Sequence, residues 1–138
     1  MADGIHITVT EAAGRRRASS GSPWEPRVGY ARAVRAGNHI VVTGTVGIEA
    51  DGSFAPAAGA QTRRALVIIQ AAIEALGGRI EHVVRTRMFV ADITQWEEIG
   101  AVHGEVFRHV LPATTMVEVA RLIDDAALVE IEADAIVE

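Results

Sequence analysis

The sequence predicts an α+β fold, a two-layer sandwich in which a mixed sheet of about six strands carries two helices on one face. Two long segments repeat apolar residues at helical spacing, and the remaining apolar segments are short and alternate like half-buried strands. The order strand, hairpin, helix, strand, helix, strand pair puts both helices over one side of the sheet. At 138 residues and 49% apolar content the chain reads as one domain with enough hydrophobic side chain for a core.

Residues 4 to 8, Gly-Ile-His-Ile-Thr, read as the first strand. The stretch from Glu11 to Gly29, rich in Gly, Ser, Pro and Arg, reads as a long loop, so residues 1–29 form an N-terminal strand and an extended lead-in. Tyr30 to Ala36 and His39 to Thr45 form a hairpin, because Gly37-Asn38 supplies turn residues that tolerate positive φ. From Ala60 to Leu76 the residues Leu66, Ile69, Ile73 and Leu76 make a helical stripe, with Arg63, Arg64, Gln70 and Glu74 mostly opposite and Gly77-Gly78 as the stop.

Val83 to Ala91 is a strand that alternates Val84, Thr86, Met88 and Val90 against Arg85, Arg87 and Phe89. Thr94 with Glu97 reads as a capping box for a second helix, whose stripe from Trp96 through Phe107 must stop before Pro112. Thr114 to Ala120 and Leu128 to Ile136 are the last strands. In the final one Val129, Ile131, Ala133 and Ala135 alternate with Glu130, Glu132 and Asp134, so one face packs on the helices and the other carries carboxylates.

Composition removes several classes of chemistry. With no cysteine there is no disulfide, thiolate nucleophile or zinc-thiolate site, which fits a reducing, cytoplasmic location. All 13 basic residues are arginine, so no lysine Schiff base can form and any bound anion must be held by guanidinium, backbone N–H or hydroxyl groups. A formal charge of −5 argues against nucleic acid, and the run Arg15-Arg16-Arg17 reads as a solvated loop. No stretch approaches the ~18 apolar residues of a membrane span, and the N-terminus lacks the pattern of a leader. The histidines have no metal-ligand spacing, and His103 reads as a satisfied core histidine; no metal is expected.

The second face of the sheet is too mixed for a core. Thr43, Arg85, Arg87, Phe89, Thr114, Met116, Glu118, Glu130 and Glu132 suit a surface closed by sister subunits around polar pockets, which predicts an oligomer.

From Gly29 onward the chain resembles the YjgF/RidA (reactive intermediate deaminase) family. The resemblance rests on Gly29-Tyr30-Ala31-Arg32-Ala33-Val34, Val42-Thr43-Gly44, Gln61 to Leu66, Val84 to Asp92, Pro112 to Leu122 and Val129 to Ala133, and spans about four-fifths of the chain. It implies a chorismate-mutase-like fold, a homotrimer with three interfacial clefts for a small-molecule ligand, and cofactor-free hydrolysis of reactive imines and enamines to ketoacids and ammonia. It also carries over the site: Thr43 and Gly44 in the pocket, Tyr30 from the loop, Glu130 as the group that positions or protonates, and Met116 beside the ligand. Thr114 stands where such members have an arginine for the substrate carboxylate, so turnover of 2-imino acids should be weak unless another cation serves.

Arg87 is the candidate replacement by strand parity; the competing reading pairs it with Glu130, Glu132 or Asp134. Tyr30 serves either the ligand or a subunit interface. Trp24 is either an aromatic lid or a buried indole pinning the lead-in. Two functions stay open: a deaminase-like hydrolase, or a non-catalytic metabolite-binding or interaction trimer. A ribonuclease is disfavoured by the acidic charge.

Overall fold

The computed structural model describes residues 4–138. Strands β1 (Thr8–Ala12) and β2 (Arg15–Ser19) come first, then a short helix α1 (Trp24–Val28), β3 (Ala33–Ala36) and β4 (His39–Val46). Helix α2 (Ala58–Ala75), β5 (Val83–Val90), α3 (Trp96–Phe107), β6 (Ala113–Glu118) and β7 (Val129–Ile136) complete the chain. The seven strands form one sheet in the order β1-β2-β3-β4-β7-β5-β6. Only β5 and β6 run parallel. The fold is the expected α+β sandwich, with one strand more than the sequence predicted.

The additional strand comes from the lead-in. The first strand occupies Thr8–Ala12 rather than residues 4 to 8, and the stretch expected to be a loop holds β2 and α1. Ala13 and Gly14 turn the chain with φ of 54° and 75°, the paired positive values of a two-residue hairpin turn. Ala18 is then fully buried on β2, opposite Ala33 of β3, which anchors the ribbon to the sheet.

Alternation along β4, β5 and β7 puts Ile40, Val42, Met88, Val90, Ile131 and Ala133 on the inner side, where they meet Leu66, Ile69 and Ile73 of α2 and Ile99 and Phe107 of α3. Burying one such aliphatic side chain contributes about 1.5–3 kcal/mol, so this layer dominates the fold's stability. The helix ends are held by tertiary contacts. Ala57 offers α2 no side-chain cap, and Glu98 of α3 instead accepts the Gly59 N–H at 2.5 Å. At the other end Arg16 and Arg35, opposite each other on β2 and β3, both donate to the Leu76 carbonyl at 2.6 and 2.7 Å, where the helix dipole is negative.

Two local expectations give way. Thr94 does not cap α3 with Glu97: Asp92 accepts both the Thr94 N–H and the Thr94 hydroxyl, at 2.9 and 2.6 Å, and a single 3-10 turn (Ile93–Gln95) leads into the helix. The carboxylate is the stronger acceptor, and the threonine hydroxyl is spent as a donor. In β5 the register slips by one residue between Val83 and Arg85, so Val83 fills the core while Val84 is pushed out to solvent.

Candidate functional site at the bulge in β4

Between Val42 and Thr45 the β4 strand advances three residues while β7 advances two, from Ala133 to Ile131. Thr43 and Gly44 form the resulting bulge. A bulge re-aims side chains and leaves backbone groups unpaired, and here it brings β4 against the Glu130 side chain of β7. Any Cβ on Gly44 would collide with the Glu130 carboxylate, so glycine is needed for the close approach, not for an unusual φ. Glu130 itself accepts no hydrogen bond from a described residue. Burial pushes its carboxyl above the ordinary glutamate value of 4.5; Arg32 draws it down and Glu132 adds to the rise.

Arg32 underlies this arrangement. Its guanidinium is buried and donates to the Gly44 carbonyl at 2.9 Å, to Thr45 Oγ1 at 3.3 Å and to Ser20 Oγ at 3.3 Å. Glu25 of α1, also buried, lies 3.7 Å from the same guanidinium and accepts from Ser20 Oγ at 2.7 Å and Ser20 N–H at 3.2 Å. Burial alone would raise the Glu25 carboxyl, but the serine hydrogen bonds and the Arg32 charge leave it below the ordinary range. This network ties the lead-in to the sheet and sets Tyr30, whose ring centroid is 5.7 Å from the Arg32 guanidinium carbon. Tyr30, Thr43, Val34, Val41, Pro26 and Arg17 line an open groove of about 550 Å3 that ends beside the bulge.

Four side chains depart from expectation. Thr114 pairs with Thr86 across β6 and β5, and Met116 with Met88, so both lie on the helix side of the sheet rather than beside Arg87. The Thr114 hydroxyl is 2.7 Å from Thr86 Oγ1, which is 2.8 Å from His103 Nε2 on α3. Glu118 shares that parity and accepts the Ile93 N–H at 3.0 Å. The neighbour of Arg87 on β6 is Thr115. Trp24 is 40% exposed, with the Arg27 guanidinium carbon 5.0 Å from its ring, and does not line the groove of this chain, so it is not the buried pin; Glu25 pins the lead-in.

Arg87 takes the ion-pair reading within this chain. It faces Glu132 across the β5–β7 pair, with its guanidinium 3.2 Å from that carboxylate and 3.7 Å from Asp134. His103 is a satisfied core histidine, stacked on Phe107 at 4.5 Å and kept neutral by burial, which lowers its pKa.

The profile of the Endoribonuclease L-PSP family matches residues 21–137, nearly the whole chain. The chain belongs to the YjgF/RidA family. It is similar to a member of the YjgF/YER057c/UK114 family from Mycobacterium tuberculosis, with 47% identity, a TM-score of 0.83, and coverage of 89% of this chain and 99% of that one. An uncharacterized protein of Streptomyces coelicolor is 39% identical over 87% of this chain and 90% of its own length. The 2-iminobutanoate/2-iminopropanoate deaminase of Escherichia coli K12 is 33% identical over 78% of this chain and 86% of that protein.

In this RidA-family chain Tyr30 and Thr43 line the groove and Gly44 lies against Glu130 at the adjoining bulge, neither of these two lining the groove, whereas Thr114 and Met116 lie across the sheet and Trp24 lies outside the groove. Arg32 and Glu25 carry the site from beneath, and sequence reasoning missed both. The available signal was parity: Arg32 shares an outward phase with Val34, two residues on. Among the described residues no helix is long and apolar enough to cross a membrane.

Proposed function

We propose that this chain is a RidA-like hydrolase acting on a small imine, enamine or related electrophile, in clefts formed between the subunits of a cytoplasmic homotrimer. One observation carries the reading: a half-buried carboxyl, Glu130, is held over a glycine bulge without a hydrogen-bond partner among the described residues and with its pKa raised. The similarity to a deaminase of 2-imino acids supports the reaction class. Open polar side chains on the outer face, Arg87, Glu130 and Glu132 among them, support closure by sister subunits.

The chemistry needs only water and one proton carrier. Ionised Glu130 takes a proton from water as its oxygen bonds to the iminium carbon, and the C=N π pair moves to nitrogen. Glu130 then returns the proton to that nitrogen. As the C–N bond breaks with its electron pair going to nitrogen, Glu130 takes the hydroxyl proton so that the C=O bond forms, and the departing ammonia carries that proton away as ammonium. The Thr43 hydroxyl and Tyr30 would orient the substrate from the groove side.

The test is ammonia release from freshly generated imines by the wild-type protein and by Glu130→Gln. General acid–base catalysis contributes about a hundredfold or more, so the variant should lose at least that factor. Equal rates would remove Glu130 from the reaction. Binding of the products without any ammonia release by the wild type would favour a metabolite-binding trimer.

A further inference from the structure

A buried cation lies under the β4 bulge without bonding to Glu130. Arg32 holds the bulge twice. Its backbone carbonyl accepts the Thr43 N–H at 2.9 Å, and its Nη1 donates to the Gly44 carbonyl at 2.9 Å and to Thr45 Oγ1 at 3.3 Å. Its Nε donates to Ser20 Oγ at 3.3 Å, and its Nη2 lies 3.7 Å from the Glu25 carboxylate. Each guanidinium nitrogen is therefore committed to a group other than Glu130. Gly44 is the common neighbour: its carbonyl takes the guanidinium, and the Glu130 carboxylate packs where its Cβ would stand.

The charged groups that act on Glu130 are Arg32, which favours its ionised form, and Glu132, two residues along β7, which opposes it. Its partners across the sheet are neutral, Phe89 on β5 and Val46 on β4. Farther along β5, Arg87 is held by Glu132 and Asp134, and Arg85 lies opposite Asp134. A guanidinium beside a half-buried carboxylate ordinarily closes an ion pair, which keeps the carboxyl ionised well into acid. Here Glu25, itself 4% exposed and fixed by Ser20, takes that place.

We infer that Arg32 and Glu25 are a pair of positioning residues for Glu130: the guanidinium fixes the Gly44 backbone from beneath, and Glu25 takes up the charge that would otherwise draw Glu130 into an ion pair. The inference rests on the reading of Glu130 as the acid–base group. It leaves that carboxyl able to hold and to release a proton, which transfer to and from water requires. Glu25 belongs to α1, so the short helix of the lead-in supplies a counter-charge under the bulge.

The test is the NMR titration of the Glu130 carboxyl, with the pH profile of ammonia release beside it, in the assembled wild type, in Glu25→Gln and in the double variant Glu25→Gln/Arg32→Gln. Glu25→Gln leaves the Arg32 charge uncompensated, so Glu130 should titrate about one unit lower, and the acid-side fall in rate should move down with it. The double variant removes both charges and strands neither, which favours folding. There Glu130 should titrate above the wild-type value, because the nearer charge drew it down, and the fall in rate should move up. A lead-in that was merely loosened would lower the rate at every pH without moving the profile in opposite directions. Glu130 titrations that coincide in all of these proteins, or that shift the other way, overturn the inference, while a wild-type rate that follows Glu130 keeps the acid–base reading. Should Glu25→Gln fail to fold, the double variant decides alone, and a Glu130 that titrates there at or below the wild-type value overturns the inference. Titrations that shift as expected beside a fixed rate profile would end the acid–base reading and take the inference with it.

Discussion

Two polar constellations sit on opposite sides of the same sheet. On the helix side, His103, Thr86 and Thr114 form a hydrogen-bonded chain in which the buried Thr86 hydroxyl bridges His103 Nε2 and the Thr114 hydroxyl, and burial lowers the His103 pKa. On the open side, the bulge at Thr43 and Gly44 holds Glu130 half-buried, with no hydrogen-bond partner among the described residues and its pKa raised. The first pattern stabilises a fold. The second costs stability and leaves a reactive group, which is how a site differs from a core.

Gly44→Ala breaks the open side. The new Cβ meets only the flexible arm of Glu130, so the carboxyl can swing away and stability should change by no more than about 1 kcal/mol. Ammonia release should nevertheless fall about a hundredfold, because a misplaced acid–base group is nearly as poor as a missing one. A thermal melt beside the rate assay checks both halves. Loss of folding together with activity would mean that the bulge is structural.

Thr86→Val breaks the helix side. The isosteric change fills the space but leaves His103 Nε2 buried without its partner, which should cost about 1–3 kcal/mol in a denaturant titration while turnover survives. The pH dependence follows from His103. Its folded pKa lies below the unfolded value near 6.5, so the unfolded chain binds the proton first. Its contribution is complete above that unfolded value and is lost as the pH falls toward the folded one. A stability profile flat through this window would contradict the buried neutral imidazole.

How much of this was legible in the sequence follows the same division. Alternation in β5 and β7 and the stripes of α2 and α3 are periodic signals, and they placed the core and the outward carboxylates of Glu130, Glu132 and Asp134. The β1–β2 hairpin escaped because its turn uses Ala13 at positive φ, where the usual Asn-Gly would have announced it. Thr114 was put on the wrong side because parity within one strand does not fix its phase against a neighbour. That phase comes from the parallel register with β5, and the bulge at Val84 shifts how the start of β5 reads. Glu25 and Arg32 pair across the lead-in, a contact that no local spacing encodes. Tyr30, Thr43, Gly44 and Glu130 were drawn from family resemblance; Tyr30 and Thr43 share the groove lining, and Gly44 lies against Glu130 at the β4 bulge.

The most direct measurement is the titration of the Glu130 side-chain carboxyl by NMR, in the protein as it assembles, alongside the pH profile of ammonia release. Burial over Gly44 predicts a pKa above the ordinary value of 4.5, and a rate that falls as the pH drops through that same raised value because the base must be ionised. Folding binds this proton more tightly than the unfolded chain does, so Glu130 also makes the protein less stable as the pH rises from 4.5 through the folded pKa. A Glu130 carboxyl that titrates at or below 4.5, with a rate profile that does not follow it, would contradict the account.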